Sequence, residues 1–156
     1  MGEATRVMSL QDGTKKMSKS DPSEKSRINL IDDADTIAKK IRKAKSDTDA
    51  LPASVEELDG RSEANNLVTL FAALQNKLSK DVMDEIAGKQ FSEFKPMLVD
   101  VAVAHLAPIT QRMNDLLSDP TEIDTILKDG AKRASKIAQP TIDEAMNLMG
   151  FLNLNE

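Results

Sequence analysis

The chain contains no cysteine and a single histidine, His105. The first absence removes disulfides and thiolate metal sites, and the second removes any multi-histidine zinc site. Metal catalysis built from this chain alone is therefore not expected. Long apolar runs are missing too: the longest, such as Leu98 to Ala104, are broken by charge well before the roughly 20 residues that would span a bilayer. Met1 to Leu10 has no basic segment leading into an apolar stretch with a small-residue cleavage site, so nothing marks the chain for secretion and a cytoplasmic location is expected. There is no internal repeat, no low-complexity tract and no Gly-rich nucleotide-binding signature.

What is present fits one ordinary domain, with room for a mobile segment beside a smaller core: 156 residues, 40% of them hydrophobic. The formal charge of −5 argues against a generic nucleic-acid coat, which needs many cations to replace counterions along the phosphates. That charge is unevenly placed. Lys15 to Lys45 carries ten Lys/Arg against five Asp/Glu, whereas Ser46 to Glu156 carries ten against nineteen. Anionic ligands are expected to meet the N-terminal third.

Residues 1–31 are rich in Gly, Ser, Asp, Lys and Pro and show no sustained helical period. They read as a short strand over Thr5 to Leu10, a turn at Gln11-Asp12-Gly13, and a flexible loop. Helical spacing then takes over. Asp33 or Asp35 can cap a helix with Ile37, Ile41 and Ala44 on one face and Lys39, Lys40, Arg42 and Lys43 over the others. Ser46 to Ala53 is a connector, and Val55 to Asp59 a short turn. A core-facing helix from about Ser62 presents Leu67, Leu70, Phe71, Leu74 and Leu78, ending near Ser79. Ser79 is expected to cap a shorter helix with Val82, Met83 and Ile86 inward, stopped by Gly88.

Ser92 is expected to cap the longest helix, whose stripe is Leu98, Val101, Ala102, His105, Leu106, Ile109 and Met113. Pro96 suits its first turn and Pro108 would kink it. His105, on that apolar face, is expected to be packed or hydrogen-bonded rather than catalytic. Asp119-Pro120-Thr121-Glu122 opens a further helix, with proline first and acids near the positive end of the dipole. A final helix, 130–149, carries Ala134, Ile137, Ala138, Ala145 and Leu148 and is stopped by Gly150. The expected body is an all-α helical bundle over residues 32–156.

The segment Thr14-Lys15-Lys16-Met17-Ser18-Lys19-Ser20-Asp21 concentrates three ammonium groups, hydroxyls and backbone amides in eight residues. Two lysines three positions apart, on flexible stems, can follow a triphosphate whose geometry changes during reaction. A cluster of lysines read alone is more often a solvated basic loop. The longer stretch Arg6-Val7-Met8-Ser9-Leu10-Gln11-Asp12-Gly13 running into Lys16-Met17-Ser18-Lys19-Ser20-Asp21 resembles, almost residue for residue, the signature loop of the bacterial-type, class I tryptophanyl-tRNA synthetases. Other class I synthetases share Lys-Met-Ser-Lys-Ser but typically continue with Gly-Asn, where Asp21-Pro22 stands here. The resemblance returns at Lys128-Asp129-Gly130-Ala131-Lys132-Arg133-Ala134, Thr141-Ile142-Asp143-Glu144-Ala145 and Met149-Gly150-Phe151. Gly13 stands where many relatives have proline, which implies a looser turn into the loop.

The resemblance implies a C-terminal fragment of an enzyme that joins tryptophan to ATP, giving the adenylate and pyrophosphate, then transfers the acyl group to tRNA. It implies that residues 1–31 are the end of a Rossmann-type catalytic domain, that residues 32–156 form an anticodon-binding-type helical domain, and that helix 130–149 packs back on the catalytic domain. Carried over by position, Val7, Lys16, Met17, Ser18, Lys19 and Ser20 bind ATP with its magnesium, with Val7 meeting adenine through its backbone. Lys16 and Lys19 stabilise the phosphates during activation. Lys39, Arg42 and Lys43 are candidates for contact with tRNA, and the full-length enzyme is expected to be a homodimer. The upstream His-x-Gly-His type signature and the indole pocket are absent from this chain, so the fragment itself is expected to be inactive. The competing reading is a non-catalytic helical protein- or RNA-binding module, with the stripes Leu67 to Leu78 and Leu98 to Met113 holding a partner helix.

Overall fold

We describe the fold from a computed structural model of the chain, over residues 6–151. Five α-helices follow one another: α1 (Ala34–Arg42), α2 (Ser62–Leu74), α3 (Ser79–Ile86), α4 (Phe91–Ser118) and α5 (Pro120–Met149), with short 3-10 turns at Glu24–Ser26 and Glu56–Leu58. The contacts divide the chain into two compact units, Met1–Met113 and Asn114–Glu156, with the boundary inside α4. No helix among the described residues is long and apolar enough to cross a membrane.

In the first unit the expected helices form, with shifted ends. Asp33 caps α1, its Oδ1 accepting from the Thr36 N–H at 2.8 Å. Ile37, Ile41 and Ala44 are buried as the spacing requires. Lys40 departs from the expected basic exterior. Its ammonium lies 2.6 Å from Asp32 Oδ2 and the residue is buried, because a partnered lysine can bury its stem along the core. Helix α2 stops at Leu74 instead of reaching Leu78, since Asn76 takes a left-handed φ of 56° and leaves Leu78 exposed.

Ser79 lies inside α3 and Leu78 takes the capping position, its N–H directed at Asp81 Oδ2 at 3.4 Å. Val82, Met83 and Ile86 turn inward, and Gly88, at φ 73°, closes the helix. Helix α4 starts at Phe91, one residue before the expected Ser92 cap, so Pro96 falls in the second turn rather than the first. That shift brings Phe91 and Phe94 into the core. Phe94 is fully buried, edge-on to Phe71 with ring centroids 5.4 Å apart and to Phe91 at 6.4 Å. His105 is exposed, with no side-chain hydrogen bond to a described residue, in place of the expected packed or hydrogen-bonded side chain, and Ile109 is exposed as well.

The connector between α1 and α2 is stapled by Arg61. Its guanidinium binds both Asp47 carboxylate oxygens, at 2.9 and 2.6 Å, and the Ala50 and Asp49 carbonyls. That bidentate pairing holds the Asp47 carboxyl below its ordinary range. Leu51, buried in the same connector, donates to the Lys89 carbonyl and accepts from the Gly88 N–H, so the loop is fixed to the turn between α3 and α4.

In the second unit, Asp119 caps α5 through the Thr121 N–H at 3.0 Å, with Pro120 at the first position. The two helices expected on either side of Gly130 are one. Nothing lies within 4 Å of the position a Gly130 side chain would take, and a glycine in a helix interior weakens the helix by only about 1 kcal/mol without ending it. Gly150, at φ 74°, stops the helix, its N–H and that of Phe151 returning to the Asn147 and Met146 carbonyls. Among the described residues α5 buries none of its side chains, and Ile126, Leu127, Ile137, Ile142 and Leu148 are exposed.

Candidate functional site

The lysine-rich segment hangs from a small hairpin. Among the described residues, the strand expected over Thr5 to Leu10 is reduced to one antiparallel bridge between Met8 and Lys16; Thr5 itself lies outside them. Ser9 N–H donates to the Lys15 carbonyl at 2.8 Å and Met17 N–H to the Val7 carbonyl at 3.0 Å. Those two bonds bracket Met8 and Lys16, which makes them directly opposed residues of the close, non-hydrogen-bonded kind. The hairpin gets no farther because two strands without a third are marginal. Helix side chains and carbonyls take the place of neighbouring strands.

Successive residues in a strand direct their N–H and C=O to opposite edges. Val7 and Ser9 use theirs on the return strand, so Met8 faces outward, and there it meets the side chain of Asn66 from α2. Asn66 Oδ1 accepts from the Met8 N–H at 3.2 Å, and Nδ2 donates to the Met8 and Ser9 carbonyls, both at 3.1 Å. Leu10 continues the anchoring: its N–H donates to the Ser26 carbonyl at 2.9 Å and its carbonyl accepts from the Lys45 N–H at 2.7 Å. Gln11 Nε2 reaches the Lys43 carbonyl at the end of α1.

At the turn, Gly13 is packed flat on the start of α2. A Cβ there would lie 2.5 Å from the carbonyl carbon and oxygen of Ser62 and 2.6 Å from the Glu63 nitrogen. The turn is thus pinned rather than loosened by glycine. Beside it, the Asp12 carboxyl is pushed down to about 2 by hydrogen bonds from the Thr14 hydroxyl, the Thr14 N–H and Lys15. A folded value below the unfolded one means that this anchoring is complete above pH of about 4 and is lost as the pH falls through about 2. A carboxyl NMR titration should find the Asp12 midpoint near 2. An ordinary aspartate midpoint would show that the turn is not held this way in solution.

Beyond the turn the chemistry-bearing groups face solvent. Lys16, Ser18, Lys19 and Ser20 are exposed, and neither lysine makes an ion pair with a described residue. Ser18 folds the tip, its Oγ accepting from the Ser20 N–H at 3.2 Å and its carbonyl from Asp21 at 3.3 Å. The Asp21 carbonyl is in turn tied to Arg27 Nη1 at 2.7 Å. Met17 is half-buried and, with Val7, lines an apolar cavity of about 160 Å³ bounded by Leu70 and Leu74 of α2 and Leu98 of α4. The Val7 carbonyl already accepts from Met17, so one of its lone pairs is committed to the hairpin.

Of the ten cations between Lys15 and Lys45, the structure uses several internally. Lys15 pairs with Asp12, Arg27 with Glu24, Lys40 with Asp32, and Lys45 with Glu63. Lys39 and Arg42 stay exposed on α1, and Lys43 at its C-cap. The loop lysines and the α1 cations are thus separate features of one unit. Among the described residues no group of three acidic, histidine or cysteine side chains is placed to hold a metal ion.

Asn66 and Gly13 were not anticipated as supports of the loop. The available signal was a polar residue on the inward side of α2, between Ala64 and Leu67, since a buried amide there requires partners. Gly13 carries no such signal, because its need for space comes from a helix 49 positions away in the sequence.

A family model described as tRNA synthetases class I (W and Y) matches residues 2–107. The chain is 60% identical over 151 residues to the tryptophan–tRNA ligase of Agrobacterium fabrum, covering 97% of this chain and 43% of that protein. It is 56% identical over 151 residues to the ligase of Brucella melitensis, covering 97% and 42%. The chain therefore spans less than half the length of these curated relatives. Its fold is also similar to the structure of tryptophanyl-tRNA synthetase from Campylobacter jejuni complexed with ADP and tryptophan, with a TM-score of 0.73 at 24% identity over 96% of this chain and 44% of that one.

Proposed function

The chain belongs to the class I tRNA synthetases of the tryptophan and tyrosine group, and from that membership we propose that it works as the C-terminal part of a tryptophan–tRNA ligase. The observation that carries the reading is the pinned hairpin that leaves Lys16 and Lys19 exposed and without ion-pair partners among the described residues. In the intact ligase a tryptophan carboxylate oxygen attacks the α-phosphorus of ATP and the bond to pyrophosphate breaks. The substrate is ATP with its magnesium. Lys16 and Lys19 meet the negative charge that collects on the departing pyrophosphate, and Met17, Ser18 and Ser20 offer backbone and hydroxyl donors to the non-bridging oxygens. Val7 meets the adenine through its backbone.

In this reading residues 1–31 end the catalytic domain, with the lysine-bearing tip mobile about its fixed base. The exposed apolar residues of α5 support a role for that helix in packing back on the catalytic domain. Exposed Lys39, Arg42 and Lys43 are suited to tRNA phosphates, where Lys40, already paired with Asp32, is not. A cytoplasmic homodimer is the proposed state of the intact enzyme.

Titrating ATP with magnesium into the chain, followed by NMR, tests the reading. Amide shifts confined to the Val7 strand and Lys16–Ser20 are expected in the millimolar range or weaker, with no tryptophan-dependent exchange of pyrophosphate into ATP by the chain alone. Robust exchange activity, or ATP-induced shifts elsewhere with none in the loop, would overturn it.

A further inference from the structure

Lys16 has no structural element holding it from below: its strand is one rung wide and its side chain is exposed. What fixes its position is its opposition to Met8, and the outer edge of Met8 is satisfied by a single side chain. Asn66 is buried, and its amide presents one acceptor and one donor group at the spacing of a peptide unit, so it completes the edge as a neighbouring strand would. Its second Nδ2 bond, to the Ser9 carbonyl, reaches the residue whose N–H closes the hairpin on Lys15. Every Asn66 polar atom is thus committed to the two residues that set the register of Lys16.

We propose that Asn66 is the positioning residue for Lys16: by acting as a one-residue substitute strand, it fixes the register at which the lysines of the loop meet a triphosphate. The inference rests on the phosphate-binding reading of the loop. Leucine at this position would keep the branched outline of the side chain and lose all three bonds. Aspartate would keep an acceptor for the Met8 N–H and turn an anionic oxygen toward the Met8 and Ser9 carbonyls. The side chain of Asn65, the exposed neighbour on α2, accepts only from the Thr69 hydroxyl among the described residues, and Asn65 serves as the control.

The experiment compares the wild-type chain with Asn66→Leu, Asn66→Asp and Asn65→Asp by amide hydrogen exchange and by ATP titration with magnesium. In both Asn66 variants the Ser9 and Met17 amides, which close the hairpin, should exchange about tenfold faster or more, while amides of α4 around Leu98 keep their protection. The ATP-induced shifts at Lys16–Ser20 should require about tenfold more ATP or vanish. In a ligase carrying Asn66→Leu, the KM for ATP should rise while the KM for tryptophan stays unchanged, a split that general destabilisation would not produce. Unchanged hairpin exchange and unchanged ATP response in Asn66→Leu overturn the proposal. Equal loss of protection in α4 overturns it too, since Asn66 would then be a general core residue. If the wild-type loop ignores ATP while the Asn66 variants still loosen the hairpin selectively, the phosphate reading falls and the hold of Asn66 on the Lys16 register stands.

Discussion

Replacing Phe94 with alanine should cost the first unit about 3–5 kcal/mol, a large share of the roughly 5–15 kcal/mol available to a domain of this size. Phe94 is fully buried and is the ring shared by both edge-on contacts, to Phe71 of α2 and to Phe91 one turn before it. Its removal forfeits the transfer of a large side chain and leaves a void between helices. The chain has no tryptophan or tyrosine, so urea unfolding followed by far-ultraviolet circular dichroism is the suitable measurement. Because α5 contributes helical signal from the other unit and buries none of its described side chains, the later, cooperative transition is the one to compare. A loss below about 1 kcal/mol would mean that this aromatic group is not the centre of the core.

Gly13→Ala should be nearly as damaging for a different reason. The new methyl would stand 2.5 Å from backbone atoms of Ser62, and neither a helix start nor a hydrogen-bonded turn can give way by the ångström needed. Overpacking of this kind typically costs about 1–3 kcal/mol, which for this unit corresponds to a fall in Tm of roughly 10 °C. The relaxation available is for the turn to lift off α2, and the Met8 and Ser9 bonds to Asn66 lie one turn further along that helix. The substitution should therefore accelerate hydrogen exchange at Thr14 and Ser9 before it affects α3 or α4. A variant as stable as the wild type would show that the hairpin does not rest on α2.

Local signals were legible in the sequence. Asp33 as a cap, the inward trio Val82, Met83 and Ile86, and the terminating Gly88 and Gly150 each act within a few residues, and each stands as expected. The loop motif was legible for the same reason, as were the family and the helical class. What failed depended on distant partners. Lys40 reads as a surface cation until Asp32 is found beside it. Phe94, four residues before Leu98, is in phase with a stripe counted only from Leu98, and its contact with Phe71 and that of Phe91 with Phe94 show both to be core. Gly130 reads as the start of a separate final helix, yet one long helix tolerates it when nothing else competes for that backbone. The loop residues were identified by motif, but what holds them was not, because Asn66 is 58 positions from Met8.

The cavity behind Met17 gives the loop a mechanical character. Close-packed interiors are stiff, and a side chain locked in one cannot be withdrawn without opening a hole. Met17 instead borders a void of about 160 Å³ that already exists, and methionine has the unbranched, rotatable chain that follows such a boundary as it moves. The segment is held at Met8 and Ser9 by three hydrogen bonds from Asn66, and nine residues after Met8 the Met17 backbone is still tied to the Val7 carbonyl while its side chain borders open space. The clamp therefore extends through Lys16 and Met17, and bending is left to the tip beyond them, which carries the Lys19 ammonium group.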